Sequence, residues 1–294
     1  MIGTPATVRD ALAAATRRLH EAGSPTARLD AEVLLAHVIG RDRAWLLAHP
    51  EAALDEPAAF HAAVDRRADG EPVAYVRGFK DWHSLRVRTD ARALIPRPET
   101  ELLADAAIAE IAVRLARDDA PLVAWDVATG SGALALAIAL RFRQSLALGR
   151  LTLVASDLSP DALELAAENL AEHGVDGVVD LACADLLEPA GASLPRPDVV
   201  TANLPYVASA EVDERIGSLG FEPRIALDGG PDGLDLLSRL LTDLGERVAP
   251  GAAVLLEHGV EQAEAIRGLA PAGASVTVVP DLAGLDRVVR LDLP

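Results

Sequence analysis

The sequence predicts an α/β chain, in which a Rossmann-like domain on a seven-stranded, mostly parallel sheet follows a small N-terminal helical bundle. Three observations predict it. Before residue 75 the apolar residues recur at helical spacing and no strand pattern occurs. Beyond Pro121, strand-like and helix-like segments alternate, as they do in parallel sheets covered on both faces. Between these regions lies a short stretch of alternating apolar and polar residues, closed by prolines.

In the first region Val8, Leu12 and Leu19 space helically, as do Leu29, Val33, Leu34, Ala36 and Val38 in a helix that stops at Gly40. Ser24-Pro25 and His49-Pro50 break these helices, and a further one is expected from Pro57 to Ala68. Tyr75-Val76-Arg77-Gly78 and Leu85-Arg86-Val87-Arg88 alternate as strands do, so residues 75–95 are read as a β-hairpin linker. Pro96-Arg97-Pro98 precede a long helix reaching Arg117. Strands are then expected at 122–127, 151–156, 178–182, 198–202, 252–257, 275–279 and 287–291. Helices fit between most of them, at 133–143, 160–172, 234–248 and 261–269. The last two strands are joined only by a link around Asp281-Leu282-Ala283-Gly284, too short for a crossover, so that pair is antiparallel. Six parallel strands with an antiparallel seventh is the class I methyltransferase variant of the Rossmann plan. The expected division is a helical domain at 1–74, the linker at 75–95 and the α/β domain at 96–294.

Composition narrows the function classes. Of 294 residues half are apolar but only 3% aromatic, so alanine-rich helices should supply much of the core. The longest apolar run, Ala133 to Leu140, is far short of the roughly 20 residues that span a bilayer. Met1-Ile2-Gly3-Thr4-Pro5 shows no basic segment before an apolar stretch, so no leader is expected. One cysteine, Cys183, excludes an intrachain disulfide framework and suits the reducing cytoplasm; its place in a predicted strand suggests a small core residue. The net charge is −18 and unevenly placed. Residues 1–95 hold 13 basic and 13 acidic residues, and residues 96–294 hold 14 and 32. Such a field opposes a polyanionic substrate. The seven histidines show no metal-ligand spacing, so no metal site is expected.

The first strand of the α/β domain ends in Asp126-Val127-Ala128-Thr129-Gly130-Ser131-Gly132 and runs into a helix. Ligands of open parallel sheets bind at strand C-termini where strand order reverses. This is not the G-x-G-x-x-G spacing that cradles a pyrophosphate, and no lysine stands ready for phosphates. A nucleoside without phosphates fits, and S-adenosylmethionine is the common one. Asp157, closing the next strand, is placed to accept from both ribose hydroxyls. Asp185 and Leu186, after the third strand, are placed to accept from the adenine amino group and to pack on its ring. The cofactor set is therefore Asp126, Ala128, Thr129, Gly130, Ser131, Gly132, Asp157, Asp185 and Leu186, with Asn203 at its edge. Arg97, Glu99 and Thr100 are read chiefly as a helix start and secondarily as lining the cofactor cleft, and Gly229, Gly230 and Gly233 chiefly as a turn and helix entry and secondarily as a substrate lid.

The fourth strand ends in Asn203-Leu204-Pro205-Tyr206. A planar amide nitrogen is a poor nucleophile because its lone pair is delocalised. Two acceptors on its N–H protons would aim it at a methyl sulfonium and raise its electron density. The Asn203 side-chain carbonyl is one candidate. The Leu204 backbone carbonyl is the other, in an extended segment enforced by Pro205. Tyr206 offers a flat face for the acceptor group. Asn203, Leu204, Pro205 and Tyr206 are thus the expected catalytic residues, acting through orientation and fixed dipoles.

These motifs, together with Gly70 to Gly78, Ile95-Pro96-Arg97-Pro98-Glu99-Thr100-Glu101, Glu222 to Leu234, Leu256-Glu257-His258-Gly259 and Asp281 to Arg287, resemble the HemK family over nearly the whole chain. That family comprises the protein-(glutamine-N5) methyltransferases of peptide-chain release factors, and the segment from Ile95 to Glu101 separates them from relatives that modify ribosomal protein. The resemblance implies S-adenosyl-L-methionine as methyl donor and the glutamine of a Gly-Gly-Gln loop as acceptor, in the service of translation termination. It implies release factors as protein partners, gripped by the helical domain, with no direct nucleic-acid binding and no membrane, in a cytoplasmic monomer. Two positions depart from the family: Ala128 stands where Gly is usual, and Leu204 where Pro is usual. Asn-Leu-Pro-Tyr is also similar to the motif of RNA and DNA adenine-N6 methyltransferases, and Ala128 leaves a non-catalytic cofactor-binding module as a third reading.

Overall fold

The computed structural model describes residues 7–54, 57–117, 120–188, 193–214 and 217–294. Met1 to Pro5, read above for a leader, lie outside the described residues. The backbone divides into two compact units, Met1–Phe79 with Ile216–Phe221 and Lys80–Arg215 with Glu222–Pro294.

The first unit holds α1 (Val8–Glu21), α2 (Ala27–Val38), α3 (Arg43–Ala48), α4 (Pro57–Ala68) and α5 (Val73–Arg77). Thr7 caps α1 by accepting from Asp10 N, and Asp42 caps α3 by accepting from Trp45 N. Leu12, Leu19, Leu34, Leu35 and Phe60 fill the core. Leu29, expected on the packed face, is 43% exposed. Asp30 turns inward instead, to an ion pair with Arg67 at 2.8 Å, and this rotates the buried face onto Ala31, Leu34 and Leu35. Tyr75-Val76-Arg77-Gly78, expected as a strand, fall instead in and at the end of a single helical turn, Val73–Arg77. Pro72 starts it with φ −58°, and Gly78 ends it in the left-handed region at φ +77°. The turn buries the adjacent Tyr75 and Val76, which alternation would put on opposite faces; four residues are too few for sequence pattern to tell the two apart.

The hairpin begins later than expected, as β1 (Phe79–Trp82) and β2 (Leu85–Arg88). His83 and Ser84 both take positive φ, the turn that matches the twist of a two-residue hairpin. The second unit continues with α6 (Thr100–Arg117), β3 (Leu122–Val127), α7 (Ala133–Arg141), α8 (Arg143–Ala147), β4 (Leu151–Asp157), α9 (Pro160–Glu172) and β5 (Asp180–Cys183). It ends with β6 (Val199–Ala202), α10 (Ser209–Asp213), α11 (Asp235–Arg247), β7 (Ala253–Glu257), α12 (Ala263–Leu269), β8 (Ser275–Pro280) and β9 (Asp286–Asp292). Among the described residues one seven-stranded sheet runs in the order β5-β4-β3-β6-β7-β9-β8, with β9 antiparallel to both neighbours and the other pairs parallel. The strand order reverses between β3 and β6, which puts the ligand crevice at their C-terminal ends.

Two apolar cores result. One gathers Trp82, Leu103, Ile111, Leu136 and Ile138, and the other packs Leu237, Leu240, Leu241 and Leu244 of α11 with Trp125 and Val254. Cys183, expected in the core, is exposed on the edge strand β5. Among the described residues no helix is long and apolar enough to cross a membrane, and no group of His, Cys, Asp and Glu is placed to hold a metal ion.

Candidate active site

A cavity opens at the C-terminal ends of β3, β4, β5 and β6, with about 1060 Å³ of empty space including its mouth. Its wall takes in Asp126, Ala128, Thr129, Gly130 and Ser131 from the β3 loop, Asp157 from β4, Asp185 and Leu186 after β5, and Asn203, Leu204 and Pro205 after β6. Two expected residues stand apart from this wall. Gly132 ends the loop at φ +76°, where an added Cβ would lie 2.9 Å from the Ala166 Cβ, so its role is to let α7 approach α9. Tyr206 directs its hydroxyl to Glu257 Oε1 at 3.4 Å. Burial, with the Glu257 charge second, pushes that phenol up to about 12, so it remains a donor.

The β3 loop is held from below and from the side. Asp126 is buried and accepts from the Thr129 hydroxyl at 2.6 Å and the Thr201 hydroxyl at 3.1 Å. Burial pushes its carboxyl up to about 7 against those hydrogen bonds. The Asn169 side chain, fully buried on α9, donates to Ser131 O at 2.8 Å and accepts from Arg88 N at 2.7 Å. One amide thereby ties the cofactor loop to the hairpin. Asp157 accepts from Gly130 N and Ser159 N, one on each carboxylate oxygen, both at 2.9 Å. Each oxygen keeps a second acceptor direction, which suits a pair of vicinal ribose hydroxyls. Burial raises the Asp157 carboxyl, and its backbone hydrogen bonds oppose the rise. Asp185 accepts from Arg239 Nη2 at 2.8 Å, which steadies it beside Leu186 on the cavity wall. The residues present suit a nucleoside carrying no phosphate: an acidic group for the ribose, apolar Leu158, Leu186 and Leu236 for the ring, and two wall arginines, Arg92 and Arg97, already paired with Asp90 and Glu168 and with Glu222.

Ala128 and Leu186 both hold positive φ, at 56° and 54°, and both line this cavity. A residue with a Cβ in that region costs about 1–2 kcal/mol. Ala128→Gly relieves that strain but loosens the unfolded chain by roughly 0.5–1 kcal/mol. The expected outcome is unchanged or slightly raised thermal stability and cofactor affinity that is equal or tighter, read by thermal unfolding and calorimetry. A clear loss of either would mean that the Ala128 methyl group makes a contact of its own.

Sequence reasoning missed two features and held a third, Thr100 in the cavity wall, only as its second reading. Glu222 is 3% exposed and accepts from Ile95 N at 2.9 Å and Arg97 Nη2 at 2.5 Å, so two motifs 127 residues apart are one clamp beside the cavity. Thr100, read as a helix start, lines the cavity, and its hydroxyl accepts from Asn203 Nδ2 at 3.1 Å. Gly229 and Gly233, read as a turn, press on the reaction loop: an added Cβ would lie 2.5 Å from Pro205 O at Gly229, and 2.1 Å from Tyr206 O at Gly233. Three glycines within five residues was the signal for this close approach, but its partner lies some 25 residues earlier in the chain.

Residues 10–78 match the family profile of the PrmC N-terminal domain. The chain is 40% identical over 287 residues to the release factor glutamine methyltransferase of Moorella thermoacetica, covering 96% of each chain. It is 38% identical over 286 residues to the release factor glutamine methyltransferase of Deinococcus radiodurans, covering 96% of this chain and 97% of that one. Among solved structures, the catalytic domain of hMettl16, in complex with a MAT2A 3′UTR hairpin, shares the fold with a TM-score of 0.52 at 12% identity, over 84% of this chain and 86% of that one.

Proposed function

The chain belongs to the family of release factor glutamine methyltransferases, and on that premise we propose how its residues carry out the reaction. The enzyme transfers a methyl group from S-adenosyl-L-methionine to the side-chain amide nitrogen (N5) of the glutamine in the Gly-Gly-Gln loop of peptide-chain release factors. The observation that carries this reading is the acceptor pair at the cavity wall, Asn203 and Leu204, facing the acid-lined cofactor end.

Asp157 would hold the ribose, Asp185 and Leu186 the adenine, and Thr129 to Ser131 line the same cavity. When bound, the cofactor supplies an activated methyl group on a sulfonium, which needs no general base before attack. The protein's task is then orientation. The Asn203 Oδ1 accepts one N–H of the glutamine amide and the Leu204 carbonyl accepts the other. With both protons held, the nitrogen lone pair faces the cofactor. Pro205 biases Leu204 to an extended shape, and Leu204, buried in the core, also contributes to the cavity wall. Fixed dipoles of this kind account for much of the rate in sites without a chemical catalyst.

The helical unit is the natural grip for the release factor, being the part that matches a domain of its own. The excess of acid over base beyond residue 95 supports a protein acceptor over a nucleic acid, and the single cysteine supports a reducing cytoplasm. A monomer suffices, since the cavity wall is complete within one chain. The test is methyl transfer from labelled S-adenosylmethionine to purified release factor. Label is expected on the wild-type factor and absent when the loop glutamine is replaced. Label on adenine in RNA or DNA, with none on the factor, would reverse the reading.

A further inference from the structure

Part of what holds the β3 loop lies outside it, on α9. Gly130 and Gly132 both take left-handed backbone, at φ +55° and +76°, so the loop has little stiffness of its own. One end is tied to β4: Thr129 N donates to Ser156 O, and Gly130 N to Asp157 Oδ2, both at 2.9 Å. The other end is tied to α9. Ala166 lies against Gly132, where an added Cβ would come within 2.9 Å of its own. Three residues on, on the same helix face, Asn169 Nδ2 donates to Ser131 O at 2.8 Å. The same nitrogen donates to Arg88 O at 3.1 Å, and Asn169 Oδ1 accepts from Arg88 N at 2.7 Å. Asn169 is 0% exposed, so these three bonds form out of reach of bulk water.

We propose that Asn169 is a positioning residue for the methyl donor, a buried amide that fixes the Ser131 end of the β3 loop against the chain leaving the hairpin. The inference rests on the reading of this cavity as the S-adenosylmethionine site and deepens it. Ser131 lines the cavity, and four residues beyond Arg88 the chain joins the wall again at Arg92 and Ala93. Ala93 clusters with Ala162 and Leu165 of α9. The α9 face that holds Ala162, Leu165, Ala166 and Asn169 thus supports two stretches of the wall, and Asn169 joins them by hydrogen bonds. Two carbonyls and one N–H surround its side chain, and a primary amide offers the two donors and the acceptor that satisfy all three. Without it, the Thr129 end of the loop stays tied to Ser156 and Asp157, and the Ser131 end is left to its glycines. The cofactor would then have to order that end as it binds, a cost that falls on affinity. The acceptor dipoles at Asn203 and Leu204 follow a different strand, β6, and are spared.

The test compares Asn169→Leu and Asn169→Ala with wild type. Leucine keeps the branched shape, alanine excludes a clash, and neither side chain donates or accepts. Calorimetric Kd for S-adenosylmethionine, taken well below each unfolding midpoint, should rise about 10- to 100-fold in both. At saturating cofactor, kcat and release-factor KM should stay within about three-fold of wild type. An asparagine that only stabilised the fold would lower the unfolding midpoint and leave Kd alone. A second measurement needs no variant to fold. Arg88 lies off the cavity wall, yet saturating S-adenosylmethionine should slow hydrogen exchange of its amide in the wild-type chain. The slowing should be at least about ten-fold greater than that of the β8–β9 amides, which report global opening. The proposal is overturned by an unchanged Kd in either variant, by a kcat that falls as far as affinity, or by equal slowing of the Arg88 and β8–β9 amides. A wild-type chain that binds no S-adenosylmethionine sinks the reading of the cavity and this inference with it. A wild type that binds it, with variants that bind it equally well, sinks this inference alone.

Discussion

Asn203→Ala is expected to lower kcat about 10²- to 10³-fold while cofactor affinity stays within a few-fold, the scale seen when one preorganised dipole is removed from a transition state. Asn203 lies on the cavity wall beside the predicted acceptor, and its NH2 end is already committed to Thr100. Truncation therefore removes the carbonyl proposed to hold the substrate and leaves Asp157, Asp185 and the β3 loop in place. Single-turnover transfer to release factor, with cofactor binding measured separately, reads the two quantities apart. Equal loss in both would assign Asn203 to shaping the cofactor pocket and nothing more.

The second large effect is on stability and runs opposite to the usual acid sensitivity. Asp126 and Glu257 are both buried, and burial pushes each carboxyl up to about 7. At Asp126 the Thr129 and Thr201 hydroxyls and the backbone of Ala135 oppose the rise, and the Asp157 charge adds to it. At Glu257 the Thr100 and Tyr206 hydroxyls and Arg287 oppose it, and Glu99 adds to it. Unfolded, these groups return to their ordinary values of 3.8 and 4.5. Between those values and about 7 the folded chain binds more protons than the unfolded chain, so stability falls as pH rises through that window. At about 1.4 kcal/mol per pH unit and group, the two together withdraw several kcal/mol, or on the order of 10 °C in Tm. Carboxyls held low by arginine, such as Asp90 beside Arg92 and Asp292 beside Arg290, act in the other direction and only in more acidic solution. Thermal unfolding of the cofactor-free enzyme should thus peak near pH 5 and decline towards pH 8, and Asp126→Asn should flatten the decline. A Tm that climbs steadily from pH 5 to 8 would contradict the assignment.

The parallel sheet was legible because its strands are apolar throughout and separated by long amphipathic helices, as Ala253–Glu257 and Asp235–Arg247 show. The antiparallel end was legible from the shortness of its link. The β3 loop, Asp157 and Asn203 were legible because their chemistry sits at strand ends, where the topology itself brings them together. Pairings across long sequence distance were not. Nothing local to Glu222 announces that it will meet Ile95 and Arg97, and nothing local to Thr100 distinguishes a helix start from a neighbour of Asn203. Tyr206 was placed by motif on the acceptor, whereas its hydroxyl answers to Glu257, a partner that only the β6–β7 register reveals. Local pattern also fails for short segments: Val73–Arg77 buries Tyr75 and Val76 as a helical turn, in a stretch that alternates like a strand.

The glycines behind the reaction loop have a consequence for changing what the enzyme accepts. With Gly229 against the Pro205 carbonyl and Gly233 against the Tyr206 carbonyl, there is no slack on that side for a larger residue to push the loop forward or for a smaller one to let it recede. The loop is a fixed reference surface, finished when the chain folds, and the incoming side chain has to be brought to it. Retargeting to an amide one methylene shorter is therefore a problem for the facing wall, where Arg97, Pro223 and Ile225 have side chains to exchange.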